Sequence, residues 1–228
     1  MVADFVSTDY GWLRSPDGKE EARVLFEAGT NRDGYFTNEE ILEQATRAMD
    51  ILEKYFPHDQ HIFIYDNART HLKRAPDALS ARRMALNIPT PEKNWLVEVP
   101  ELDDQGRQVY ASDGKKLRKK VQMALGTLPN GELQSLYFPE GRPRVGIFKG
   151  MTVILQERGF IKEAQLKRER PGFKCPPDRI DCCARRFLYN QPDFSGVETL
   201  LEAHCKKRGF EVLFLQKFHP DLSPIEPC

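Results

Sequence analysis

Twice in this chain a strand-like apolar run closes on an acid. Residues 61–65 (HIFIY) are short, apolar and β-forming, and they lead directly into Asp66, the head of the phrase DNARTH at 66–71. Residues 211–216 (EVLFLQ) enter a Pro-rich turn within 218–228 (FHPDLSPIEPC), where a lone carboxylate, Glu226, follows. A short apolar run bounded by turn residues reads as a buried central strand, and strands buried on both faces belong to helix-covered sheets. The chain is therefore expected to be α/β, with an acid delivered at the carboxyl end of each of two strands. Paired acids in such positions suit metal-dependent phosphoryl transfer.

Each motif also has a purely structural explanation. Ser223, Pro224, Ile225 and Glu226 match a capping box with Pro at the first helical position, so Glu226 would accept from the Ser223 amide. Asp66 and Asn67 are residues that form Asx turns after strands. The joint occurrence of both motifs with His71 weighs toward a site.

The rest of the chain supplies the other layers. Residues 1–6 and 23–28 carry β-formers around a loop rich in Gly, Pro and Asp, which predicts an antiparallel pair. Thr37 with Glu40 forms a capping box, and Ile41, Leu42, Ala45, Ala48, Met49, Leu52 and Phe56 share one helical stripe. A helix over 38–55, stopped by Pro57, is predicted to pack on a sheet. A helical piece is expected at 75–84, further helices at 146–158, 182–189 and 197–207, and Gly209 as the closing cap of the last. Residues 87–142 are rich in Pro, Gly, Asp and Lys and read as a polar excursion with short hairpins.

Composition excludes some classes. The 34 Lys and Arg balance 34 Asp and Glu, which argues against a chain that mainly coats phosphate backbones. Basic clusters at 115–120 (KKLRKK) and 162–170 (KEAQLKRER) read first as solvated surface, with DNA backbone as the functional alternative. No segment approaches a membrane span and no secretory signal is evident, so an intracellular protein is expected. Five cysteines, an odd number, suit a reducing compartment better than a disulfide framework. Cys175, Cys182 or Cys183, Cys205 and His204 could assemble a zinc site, but the spacing lacks paired CxxC knuckles, and buried small hydrophobes are the expectation.

The residues Asp66, Asn67, Ala68 and His71 match a DNA-x-x-H motif, and 219–226 match a phrase of the form SPDLNPIE, with His219 for Ser and Ser223 for Asn. In both, the chain resembles the mariner superfamily of transposases, whose RNase H-like domains carry a DDE triad. The phrases at 9–26 (DYGWLRSPDGKEEARVLF) and 134–151 (QSLYFPEGRPRVGIFKGM) resemble the expanded branch common in fungal genomes. The resemblance implies an RNase H-like mixed β-sheet flanked by helices, with a large insertion before the last strand. Compact members place the second and third acids far closer than Asp66 and Glu226, so 85–192 is the expected insertion between an N-terminal part of the core, 1–84, and a C-terminal part, 193–228. It implies catalytic, metal-binding roles for Asp66 and Glu226, with Asn67 and His71 steadying the Asp66 loop. The implied cofactor is Mg²⁺ or Mn²⁺ in a two-metal site, with the cations about 4 Å apart. The implied partners are DNA, both transposon ends and target, and a second copy in a homodimer; the implied location is the nucleus. The family's first acid has no match before residue 66 other than Asp4, and the family's continuation beyond the third acid is lacking. The expectation is a core trimmed at both ends, its first Asp upstream of Met1, and its strand-transfer activity lost or impaired. Three rivals stand beside it: a non-enzymatic DNA- or protein-binding relic, a Cys-stabilised interaction module, and, as the nearest enzymatic one, a generic metal nuclease.

Overall fold

The structure, a computed structural model, describes residues 2–27, 29, 36–105, 107–171, 174–176 and 179–216. Helices and strands are mixed along the chain. In order they are β1 (Val2–Ala3), β2 (Val6–Ser7), β3 (Gly11–Trp12), β4 (Val24–Leu25), α1 (Asn38–Tyr55) and β5 (Ile62–Tyr65). There follow β6 (Val97–Pro100), β7 (Arg118–Val121), β8 (Gly126–Thr127), β9 (Leu133–Gln134) and α2 (Gly150–Glu157). The last are α3 (Ala184–Tyr189), α4 (Pro192–Ser195), α5 (Leu200–Lys206) and β10 (Glu211–Phe214). Two compact units result: residues up to Arg74 join those from Glu198 onward, and Ala75–Val197 forms the second.

The first unit is organised by α1. Thr37 precedes it in an extended conformation, and the Glu40 carboxylate accepts from the Thr37 amide at 2.5 Å, so the first turn is closed as the sequence pattern requires. Three- and four-residue spacing then puts Ile41, Ala45, Ala48, Met49 and Leu52 on one buried stripe. That stripe shares a core with Phe63 and Tyr65 of β5 and with Leu201 and Cys205 of α5. β1 pairs antiparallel with β4, and β2 pairs antiparallel with β3 across a turn closed by Gly11, whose φ of 69° favours glycine. The second hairpin was not foreseen, because its strands are two residues each and carry too little pattern to register.

β5 and β10 pair in parallel, with Ile62 opposite Glu211 and Tyr65 opposite Phe214. Residues 61–65 are expected to form a central strand buried on both faces, yet only one face of β5 is covered among the described residues. Phe63 and Tyr65 are buried, whereas Ile62 and Ile64 are 45% and 51% exposed. The described strands form five two-stranded ladders and not one continuous sheet.

The second unit spans Ala75–Val197 and has its own core of Leu136, Tyr137, Phe148, Met151, Ile154, Leu155, Leu188 and Phe194. Leu79, Ala81 and Met84 belong to it, so 75–84 joins this unit and not the first. The expected helix there is instead a series of turns with a short 3-10 segment, Ala81–Arg83. Pro76 and the turn-favouring Asp77 precede it, and Ser80 accepts from the Arg82 amide at 3.4 Å, closing a tight turn where a longer helix would need a free run. The basic run 115–120 is part of a ribbon in which β7 pairs antiparallel with β6. No helix of the described residues is long and apolar enough to cross a membrane.

Candidate metal site at the carboxyl end of β5

In β5 successive side chains alternate between faces, so Phe63 and Tyr65 anchor the strand in the core while the chain leaves it at Asp66. Parallel pairing continues one step past β10, where the Leu215 amide donates to the Tyr65 carbonyl at 2.8 Å. The two strands therefore end side by side. The carboxyl ends of parallel strands are the usual location of ligand sites in α/β folds.

Asp66 is built into a tight loop. Its Oδ1 accepts from the Ala68 amide at 2.9 Å and lies 2.6 Å from His71 Nδ1. The Asn67 side-chain amide donates to the Leu215 carbonyl, which ties the loop to the end of β10. His71 also packs its ring 4.9 Å from that of Tyr65. Farther along, the Asn38 side-chain amide donates to the Thr70 carbonyl at 2.8 Å, and the Leu200 amide donates to the Lys73 carbonyl at 2.7 Å. The loop is thus fixed to the first turns of α1 and α5. Its carboxylate is nonetheless 62% exposed, and Oδ2 accepts no hydrogen bond among the described residues.

Of the four residues singled out in the sequence, Asp66, Asn67 and His71 come together. Glu226 lies outside the described residues. Asp4, the early acid considered as a substitute, is committed elsewhere. Its side chain is only 3% exposed, its Oδ2 pairs with Arg23 Nε at 2.6 Å, and its Oδ1 accepts from the Phe5 amide at 2.8 Å. A buried carboxylate with a guanidinium partner is poorly suited to take up a hydrated cation.

Tyr65, just behind Asp66, escaped the sequence reading as anything but a strand residue. Its hydroxyl is buried with no hydrogen-bond partner among the described residues, and burial, with the Cys205 thiol adding to it, pushes the phenol well above its ordinary range. The phenol therefore stays neutral and serves as a wall. A shallow cleft lined by Phe56, His58, Asp59, His61, Arg208 and Phe210 sits at the amino ends of β5 and β10, at the opposite end of the strands from Asp66. There the Tyr10 hydroxyl donates to Asp59, and that bond raises the phenol to about 12.

The late cysteines divide between the units. Cys205 is buried in the first core, where burial pushes its thiol up to about 11, and His204 Nε2 lies 2.8 Å from Thr46 Oγ1. Both are used locally. Cys175, Cys182 and Cys183 cluster in the second unit, with a disulfide joining Cys175 to Cys182. The reading of all the late cysteines as buried small hydrophobes holds for Cys183 and Cys205. It fails for the bonded pair, whose Cα atoms stand 6.0 Å apart, within disulfide reach.

Comparison with family models, curated proteins and solved structures finds no match for this chain.

Proposed function

We propose that the chain is a transposase-derived DDE domain with an RNase H-like core, whose ancestral reaction is divalent-metal-dependent DNA cleavage and strand transfer. The observation that carries this reading is the in-register parallel pairing of β5 with β10, which presents Asp66 at a carboxyl end beside the segment that runs on toward Glu226. The exposed, half-unbonded carboxylate of Asp66 fits a hard cation such as Mg²⁺ or Mn²⁺, which prefers oxygen donors and keeps water in its remaining positions. Asp66 and Glu226 would hold it. Such an ion, when bound, activates the attacking oxygen and stabilises the leaving one at phosphorus.

The protein's own part is positional. The Ala68 amide and His71 fix one carboxylate oxygen and leave the other directed away from the loop's hydrogen bonds. Asn67 holds the loop to β10, so that displacement of the Asp66 loop would also disturb the segment beyond Leu215. DNA, a nuclear location and a homodimer follow as parts of the same proposal.

A second reading, a DNA-binding relic without catalysis, draws on the commitment of Asp4 to Arg23 and on the exposed Lys119 and Lys120 of the β7 ribbon. Nicking of supercoiled plasmid separates the two. Nicking that requires Mg²⁺ or Mn²⁺ and disappears in both Asp66→Ala and Glu226→Ala supports the enzyme. Absence of nicking at every cation concentration rejects it as a working enzyme. In that case, salt-dependent DNA binding unaffected by chelator or by either substitution supports the relic.

A further inference from the structure

Outside the Asp66 site, the second unit gathers three cysteine sulfurs. Cys175 and Cys182 are bonded to one another, and the Cys183 sulfur lies 3.9 Å from that of Cys182. All three sulfurs fall within 4.8 Å of one another. Cys183 is buried, while Cys175 and Cys182 are partly exposed. A disulfide that serves only as a staple has no use for a third thiol within bonding reach, yet here one stands beside it, shielded from solvent.

The geometry points to a zinc site that forms when the Cys175–Cys182 disulfide is reduced. Tetrahedral thiolate coordination at a Zn–S distance of about 2.3 Å sets sulfurs about 3.8 Å apart. The observed separation of 3.9 Å between Cys182 and Cys183 already matches this spacing. Thiolate is a soft donor, which selects zinc over magnesium or calcium. With three protein ligands from one short segment, the fourth position is left to water or an added ligand. Burial of Cys183 sets the ion at the edge of the core, and the partial exposure of the other two leaves a route for its entry.

The chemistry balances in two steps. A dithiol reductant supplies two electrons and two protons to the Cys175–Cys182 bond, giving two protein thiols and the disulfide form of the reductant. Binding of Zn²⁺ by the three thiols then releases up to three protons. The reverse also follows. A disulfide oxidant that re-forms the Cys175–Cys182 bond takes two of the three ligands, so the oxidised and zinc-bound states exclude one another. Metal uptake at this site is therefore gated by thiol redox state, independently of whatever Asp66 does.

The test uses the full chain in a Cys228→Ser background, prepared reduced under anaerobic conditions and in parallel with its disulfide intact. Zinc content after gel filtration against a weak competing chelator gives the stoichiometry, and Co²⁺ substitution gives the ligand set through its sulfur-to-metal charge-transfer band. The reduced chain is expected to retain one equivalent of zinc, and the oxidised chain none. Cys175→Ser, in a partly exposed loop, and Cys183→Ala each lower zinc affinity at least about tenfold, whereas Cys205→Ala leaves it unchanged. A reduced chain that holds no zinc overturns the inference. So does equal binding by the oxidised chain, or full binding by Cys175→Ser with its circular dichroism intact.

Discussion

The side-chain amide of Asn67 reaches the carbonyl of Leu215, so one hydrogen bond joins the loop that carries Asp66 to the first residue beyond β10. Two residues far apart in sequence thereby hold the ends of two parallel strands together. Asp66 itself contributes differently, since its exposed carboxylate shapes only its own loop through the Ala68 amide and His71.

These roles predict unequal stability losses for neighbouring substitutions. Asn67→Ala removes the tie and leaves the Leu215 carbonyl without that donor, at an expected cost of about 1–2 kcal/mol. Asp66→Asn keeps an acceptor for the Ala68 amide at an exposed position and is expected to cost less than about 0.5 kcal/mol. Urea denaturation of both variants checks this. Equal losses would show that the two side chains do not divide the work in this way.

The start of α5 rests on reciprocal capping by Thr199 and Glu202. Thr199 Oγ1 accepts from the Glu202 amide at 3.0 Å, and Glu202 Oε2 accepts from the Thr199 amide at 2.6 Å. Because Thr199 is buried, solvent cannot readily replace its side chain. Thr199→Ala is expected to destabilise the first unit by about 1–2 kcal/mol, with most of the loss restored in Thr199→Ser. Thermal melts of both variants decide the matter, and a serine variant as unstable as the alanine one would mean that packing of the methyl group outweighs the cap.

What could be read from the sequence is what local physics specifies. The bounds of α1 follow from its capping pair, its stripe and Pro57, and the β1–β4 and β5–β10 segments follow from their β-forming runs. The Asp66 loop was legible because Asp, Asn and His act within six residues of one another. The second unit was not legible as a unit. Its core draws on Leu79, Leu136, Phe148, Leu155, Leu188 and Phe194, residues whose apolar character shows in sequence but whose mutual contact depends on long loops. The cysteine pairing was hidden for the same reason, since spacing alone does not say which thiols share a unit. The exposure of Ile62 and Ile64 shows the converse limit, because an apolar strand looks identical in sequence whether one face or both are covered.

Gly150 is required at the start of α2. Its φ is 79°, and a Cβ there would sit 2.6 Å from the Asn87 carbonyl carbon and 2.8 Å from the Leu86 oxygen. The same backbone approach lets the Met151 and Thr152 amides donate to the Ala85 and Leu86 carbonyls at 3.0 Å each. Gly150→Ala is expected to cost more than about 2 kcal/mol, through left-handed strain together with a backbone clash that no rotamer relieves. Gly159, with φ of 83° and nothing within 4 Å of its would-be Cβ, isolates the strain alone. Its alanine variant is expected to lose only about 1–2 kcal/mol. Chemical denaturation of the pair measures the difference, and a Gly150 variant no worse than the Gly159 variant would remove the clash from the account.

The strongest polar feature of the second unit is the fork between Arg158 and Asp193. Arg158 Nη1 and Nη2 donate to Asp193 Oδ1 and Oδ2 at 2.9 and 2.7 Å, while Nε donates to Gln134 Oε1 at 2.8 Å. Only 1% of the Arg158 side chain is exposed. Burial alone would push the Asp193 carboxyl up, but the guanidinium and the Thr127 amide outweigh it and hold the group below its usual value of 3.8. A carboxyl whose folded value is depressed contributes stability that is complete above its unfolded value and is lost as pH falls through the folded one. Asp193 should therefore steepen the loss of stability below about pH 4, and Asp193→Asn should flatten that limb. At neutral pH, Asp193→Ala strands a buried cation and is expected to cost about 3–5 kcal/mol. The double variant Arg158→Met with Asp193→Ala removes that cation along with its partner, and should be less destabilised than the sum of the two single changes by more than about 1 kcal/mol. Strict additivity at neutral pH, or an Asp193→Asn variant whose acid limb is as steep as that of the parent, would show that the fork is not what holds α2 to α4.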